Sequence, residues 1–137
     1  MIKISAKAEY AARAVLDLSI NYNNDKPLQL DDISKKMNIP REFLVQVMSM
    51  LTKSGIVSSR RGANGGYILK QSPKQTSLRS VIEAFDGNIG EFRCGDIDFS
   101  NCRGDPDCVF CKVWEDLVTI ASQKLDRINF LDLSKSS

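Results

Sequence analysis

Apolar residues recur every three to four positions between Ala6 and Ile20, at Ala8, Ala11, Ala12, Val15, Leu16, Leu18 and Ile20, with Ser5 just ahead of them. That period lines one face of an α-helix, and a serine at its entry can accept a hydrogen bond from a first-turn N–H. A first helix is expected over 6–20. The stretch Asn21-Tyr22-Asn23-Asn24-Asp25-Lys26-Pro27 ends it, because Asn and Asp side chains compete for the backbone and proline cannot continue a helix. Leu30, Ile33 and Met37 then mark one side of a short second helix, with Asp31 and Asp32 in its first turn, where the helix dipole favours acids. Asn38-Ile39-Pro40 breaks it.

A third helix is predicted from Arg41 to about Ser54, closed by Gly55, with Leu44, Val47, Met48 and Leu51 as its apolar stripe. At about 100° per residue the opposite side carries Glu42, Gln46, Ser49 and Lys53, flanked by Arg41 and Val45. Two short helices joined by a tight turn, the second presenting a hydrogen-bonding face, form a helix-turn-helix. After Gly55 the period shortens to two. Ile56-Val57-Ser58-Ser59 and Tyr67-Ile68-Leu69 read as strands around Arg60-Arg61-Gly62-Ala63-Asn64-Gly65-Gly66. Asn64-Gly65 between them signals a hairpin because both residues tolerate positive φ, which gives a wing with Arg60 and Arg61 on one arm. Ser77 caps a further helix over Leu78–Phe85, ended by Asp86-Gly87-Asn88. Residues 88–111 are rich in Gly and Asp and contain every cysteine, which marks a functional loop. From Lys112 to about Arg127 a closing helix carries Trp114, Leu117, Val118, Ala121, Leu125 and Ile128 on one stripe.

The chain has 137 residues, 42% apolar and 26% charged, enough for one soluble domain with a modest core. It has no run of 18 apolar residues, and Met1-Ile2-Lys3-Ile4-Ser5-Ala6-Lys7 lacks the layout of a signal peptide. A cytoplasmic protein without membrane association is expected. Glutathione there keeps thiols reduced, so Cys94, Cys102, Cys108 and Cys111 read as metal ligands or redox-active thiols rather than structural disulfides. Histidine is absent, which excludes His-dependent triads, His zinc sites and Rieske-type clusters. Without a phosphate-binding glycine loop or a carboxylate pair in an apolar setting, no enzyme activity and no small-molecule substrate are expected.

The net charge of +2 hides an asymmetry: residues 1–74 hold 12 Lys/Arg against 6 Asp/Glu, and residues 75–137 hold 7 against 11. Positions 35–74 carry Lys35, Lys36, Arg41, Lys53, Arg60, Arg61, Lys70 and Lys74 against the single acid Glu42. Such a run is either a solvated basic face or the footprint of a polyanion, and the helix-turn-helix with its wing favours double-stranded DNA.

The cysteines are spaced C-x7-C-x5-C-x2-C. Four soft thiolates in so short a segment suit an iron–sulfur cluster, either [2Fe–2S] or [4Fe–4S], or a zinc ion. Structural zinc more often takes two C-x2-C pairs, and only one is present. A third alternative is a metal-free switch in which Cys108 or Cys111 forms a disulfide under oxidant. Their neighbours Gly, Asp, Asn and Arg do not make the apolar core that cysteines packed as small hydrophobes would need.

Together these residues resemble the IscR, NsrR and RirA family of bacterial transcription regulators, over nearly the whole chain. The match is carried by Ser5-Ala6-Lys7-Ala8-Glu9-Tyr10-Ala11, the helix-turn-helix, the wing from Val57 to Tyr67, the cysteine loop, and Cys111-Lys112-Val113-Trp114. The resemblance implies a homodimer crossed through long final helices, with third helices and wings on DNA and an iron–sulfur cluster that modulates operator binding. Cys94, Cys102 and Cys108 match the three family cysteines. IscR-type proteins have histidine where Cys111 stands, whereas NsrR-type proteins take a carboxylate from the partner's first helix, where Glu9 stands here. The seven-residue first cysteine interval is similar to RirA-type members. Arg61 matches a wing arginine that enters the minor groove, and Gln46 a base-reading position. Val45 replaces an acid of IscR-type proteins and can touch a thymine methyl but accepts nothing from cytosine. For Arg60 the alternative is a surface ion pair. Glu42 reads as structural unless it meets a cytosine amino group.

The expected fold is mainly α with a small β-hairpin wing: a winged helix-turn-helix DNA-binding domain over 1–75, then 76–137 with a helix, the cluster loop at 88–111 and a long C-terminal dimerisation helix. Its apolar stripe exceeds what one small winged helix buries alone, which points to a dimer seam. Folding back onto its own domain is the alternative.

Overall fold

The computed structural model describes residues 4–24, 26–90 and 107–137. Helix α1 spans Ala6–Ile20, and the Ser5 hydroxyl accepts from the Ala8 N–H at 3.1 Å, as its capping position predicts. Asn21 ends the helix and a 3₁₀ turn, Tyr22–Asn24, follows. Helix α2 spans Leu30–Met37 and stops at Asn38, which takes the left-handed conformation at φ 53°. Helix α3 spans Arg41–Lys53. It closes where the Ile56 N–H reaches the Leu51 carbonyl at 3.0 Å over Gly55, at φ 76°, a turn that a side chain would strain.

Strands β1 (Val57–Arg60) and β2 (Gly66–Leu69) pair antiparallel from Val57↔Leu69 to Arg60↔Gly66. The hairpin forms as expected, but for a different reason. Asn64 and Gly65 do not take positive φ; Gly62 and Gly66 do, at 108° and 151°. Gly65 is needed for space, because a Cβ there would fall on the Arg60 carbonyl oxygen and within 2.9 Å of that of Gly62. Leu28 adds a third pairing along β2, exchanging hydrogen bonds with Tyr67 at 3.0 and 2.8 Å.

Helix α4 covers Leu78–Asp86, capped by Ser77, and α5 covers Val109–Arg127. The closing helix therefore starts three residues before Lys112, and Cys111 sits on it rather than in the loop. Nor is α5 the last element. Backbone turns extended at Ile128, Asn129 caps a new helix through its side chain at 2.9 Å, and α6 runs Phe130–Ser136. The 128–130 segment pairs with 76–78, Leu78 N–H to Ile128 O at 2.8 Å and Phe130 N–H to Thr76 O at 3.0 Å, which turns α6 back against α1.

The core gathers around α1. Leu44, Val47, Met48 and Leu51 of α3 are fully buried there, with Val15, Ile33, Val81 and Phe130. Burying each such side chain contributes about 1.5–3 kcal/mol relative to leaving it exposed, so the predicted stripe of α3 is what fixes its opposite face outward. One charge enters this layer. Asp17, 2% exposed, accepts from Asn21 Nδ2 at 3.1 Å and meets Lys36 Nζ at 2.9 Å, which joins α1 to α2 without an orphaned carboxylate. A second cluster, Ala8, Ile82 and Ile89 with Leu125 against it, holds the entry to the cysteine segment. The Ile89 N–H donates to Glu83 Oε1 at 3.2 Å, and the Ser5 N–H donates to Asp86 Oδ2 at 2.9 Å.

Candidate nucleic-acid interface and cysteine site

Because α3 buries one side completely, Glu42, Val45, Gln46, Ser49 and Lys53 all stand exposed on the other, with Arg41 at its first turn. In helix-turn-helix proteins generally, the outward surface of the second helix is the one that faces the major groove. Beside it Arg60 ends β1 and Arg61 begins the wing loop, both exposed and, among the described residues, in no ion pair. Arg41 differs: its Nε donates to Asp31 Oδ1 at 2.7 Å. Phe43, a residue the sequence pattern did not single out, is 45% exposed and lies against Tyr10 of α1 with ring centroids 5.9 Å apart. The Arg13 guanidinium covers the same Tyr10 ring at 5.7 Å.

Cys94 and Cys102 lie outside the described residues. Cys108 is the N-cap residue of α5, a partly exposed free thiol whose side chain makes no cap hydrogen bond. Cys111 follows one turn later, a spacing that puts the two on neighbouring positions of one helix surface, and it is disulfide-bonded. Glu9 is exposed on α1, its Oε1 accepting from Arg13 Nε at 3.0 Å. Among the described residues no three of Cys, Asp and Glu gather as a metal site, so Glu9, Cys108 and Cys111 of one chain are not brought together.

The predicted α5 stripe divides. Val118 is buried, and Trp114, Ala121, Leu125 and Ile128 are partly covered by the chain's own fold. Leu117 instead shares the outward side with Val109, Phe110, Val113 and Ile120, between 43% and 72% exposed. The signal was present in the sequence as a series spaced by three and four from Val109 and Phe110 to Ile120, but starting the helix at Lys112 cut off its first turn.

Residues 4–136 match the Rrf2 family, described as an iron-dependent transcriptional regulator. The chain belongs to the Rrf2 family. It is 34% identical over 132 residues to a helix-turn-helix-type transcriptional regulator of Haemophilus influenzae, covering 96% of this chain and 86% of that one. With the IscR regulator of Yersinia enterocolitica it shares 33% identity over 132 residues, 96% and 79% of the two chains. Among solved structures, CymR, the global cysteine regulator of B. subtilis, superposes with a TM-score of 0.85 at 26% identity, covering 100% and 99% of the two chains. T. potens IscR gives 0.79 at 28% identity, over 98% and 88%. This Rrf2 member is accordingly an IscR-like, DNA-binding transcription regulator of winged-helix fold, and its relatives are regulators rather than enzymes. Among the described residues, no helix is long and apolar enough to cross a membrane.

Proposed function

We propose that this Rrf2-family regulator is a homodimer that reads operator DNA with α3 and the wing, under the control of an iron–sulfur cluster held by Cys94, Cys102, Cys108 and Cys111. The observation that carries the reading is on α5, which opens with Cys108 and Cys111 and then turns Val113, Leu117 and Ile120 to solvent. An apolar stripe of that length on a small protein marks an interface. A two-fold dimer through it presents two α3 helices to half-sites about one helical turn apart. Sensor and seam thus share one element, so a change at the cysteines bears on how the two reading heads are spaced.

The roles divide along the chain, with residues 1–75 on DNA and 76–137 sensing and pairing. Gln46, Ser49 and Lys53 reach base edges or phosphates, Val45 offers an apolar contact for a thymine methyl, and Arg61 enters the minor groove. Arg41 and Arg60 supply phosphate contacts, while Glu42 is tolerated where it can accept from a cytosine amino group. The donor set fits the cluster once the Cys111 disulfide is reduced, when Cys108 and Cys111 would offer two soft thiolate ligands from one helix turn. When bound, the cluster supplies a unit whose oxidation or loss changes the charge and constraint at the start of α5. A differential binding energy of about 1–3 kcal/mol between DNA-competent and incompetent forms gives a 5- to 150-fold change in operator affinity.

Protein purified without oxygen, assayed for iron and sulfide, and compared as holo and apo forms on the same DNA at fixed salt tests the reading. Brown protein with unequal holo and apo affinities is expected; equal affinities refute a sensor. A colourless, zinc-filled protein would make the site structural. A second reading, a thiol switch, is favoured by one observation: Cys111 is disulfide-bonded. In that case oxidant alone, with no iron present, changes operator affinity.

A further inference from the structure

We propose that Lys26 and Arg60 form a clamp for a DNA backbone phosphate behind the wing, an inference that rests on the DNA-binding reading above. Two clefts meet there. One, of about 570 Å³, lies between the end of α1 and β2 and includes Asn21, Tyr22, Lys26, Arg60 and Tyr67 in its walls. The other, of about 630 Å³, lies between the wing loop and the entry to α2 and includes Lys26, Gln29, Asp32, Arg60, Arg61 and Asn64. Lys26 and Arg60 are the cations common to both.

The charge pattern is that of an anion site. Among the described residues neither Lys26 nor Arg60, nor Arg61 beside them, has a carboxylate within 4.0 Å, so no ion pair offsets their charge. Among the described residues no acid lines the first cleft; Asp32 lines the second, on the α2 side. Around the two cations stand neutral amides and two tyrosines, Tyr22 and Tyr67, which can donate to a phosphate oxygen without repelling it.

The backbone holds the pair in place. Arg60 pairs with Gly66 on one side of β2, and Leu28 pairs with Tyr67 on the other, so the 26–29 segment and β1 flank the same strand. Gly66 makes this approach possible, because a Cβ there would lie 2.5 Å from the Leu28 carbonyl oxygen. Lys26, two residues ahead of that pairing, stands exposed at the cleft, the compact point charge suited to one phosphate. With Arg61 in the minor groove, the strand bordering the groove supplies the phosphodiester.

The test is a salt titration of operator and random duplex binding by Lys26→Gln, Lys26→Arg, Arg60→Gln and Arg61→Ala in the full chain, with a thermal melt as a folding control. Each phosphate contact contributes about 0.9 to the slope of log K against log salt, which is about fivefold in affinity at ~0.15 M salt. Lys26→Gln should therefore weaken both duplexes about fivefold and lower the slope by about one, with Lys26→Arg restoring both. Arg60→Gln should match Lys26→Gln, and because both cations hold the same phosphate the double variant should lower the slope by about one in total, a fall of about two marking two separate phosphates and overturning the clamp. An unchanged slope in Lys26→Gln, whether affinity is retained or lost for the operator alone, overturns the clamp. Arg61→Ala separates the two readings: if it weakens operator binding while Lys26→Gln is silent, only the clamp falls. If both are silent, the wing is not a DNA surface at all.

Discussion

Asp31, in the first turn of α2, accepts a hydrogen bond from Arg41 Nε at 2.7 Å, so the first residue of α3 is engaged by the helix before it. The two side chains are 63% and 65% exposed, and a pair that wet contributes at most about 1 kcal/mol to folding. Its consequence lies on DNA. An arginine that leaves a carboxylate to meet a phosphate gives up part of what it gains, and the carboxylate itself repels the backbone. Asp31→Asn should lower folding stability by no more than about 1 kcal/mol and raise affinity for operator and random DNA alike by about two- to fivefold, within that same ~1 kcal/mol. A fall in operator affinity would mean instead that Asp31 aims Arg41 at its contact.

Phe130 is 1% exposed in the core, and it is what docks α6 against α1. Removing a buried aromatic ring costs about 3–5 kcal/mol. Phe130→Ala should lower the unfolding free energy by that amount in denaturant titration of the full chain, with no change in the ordering of DNA variants. A loss below about 1 kcal/mol would show that α6 undocks readily and that its burial contributes little.

What the chain discloses by itself follows from which forces are local. The stripe Leu44, Val47, Met48 and Leu51 is read without a structure because burial obeys the helical period, and its complement, Gln46 to Lys53, follows by elimination. Ser5, Ser77 and Gly55 are legible because capping is chemistry within four residues. Longer-range relationships leave no such trace. Nothing local says that Leu28 would pair with Tyr67, that Gly65 rather than its φ would matter for space, or that Phe130 would re-enter the core after α5 had ended. The α5 stripe shows both cases: its amphipathic nature is periodic and visible, but which arc meets α4 depends on packing, and that decided against Leu125 and in favour of Val113 as an outward residue.

That division sets the test of the dimer. Val113 and Leu117 stand 43% and 53% exposed on α5, so acids there should leave the protomer folded while breaking an apolar seam. Val113→Asp with Leu117→Asp should sediment as a monomer and bind the operator far more weakly, because each protomer then contacts one half-site alone. Leu125→Asp is the contrast: it packs on the Ala8, Ile82 and Ile89 cluster and should destabilise the fold itself. A dimer that survives the double change would place the interface on another surface.

The fourth ligand separates two versions of the cysteine site. Cys111 lies one turn into α5 from Cys108, and its thiolate is a softer ligand for iron than a carboxylate. Glu9 already has a partner, Arg13 at 3.0 Å, although both are exposed enough that releasing it costs little. Cys111→Ala should therefore give protein with little bound iron and sulfide when prepared without oxygen, and with the operator affinity of the apo form. Glu9→Ala should keep the cluster and the holo affinity. The reverse pattern, iron lost with Glu9 and kept without Cys111, would assign the ligand to the first helix of the partner subunit. Alanine at Cys94, Cys102 or Cys108 should abolish the difference between holo and apo forms in either version. If Cys111→Ala removes a response to oxidant while iron content is unaffected, the disulfide chemistry of Cys111, not a cluster, is what sets operator binding.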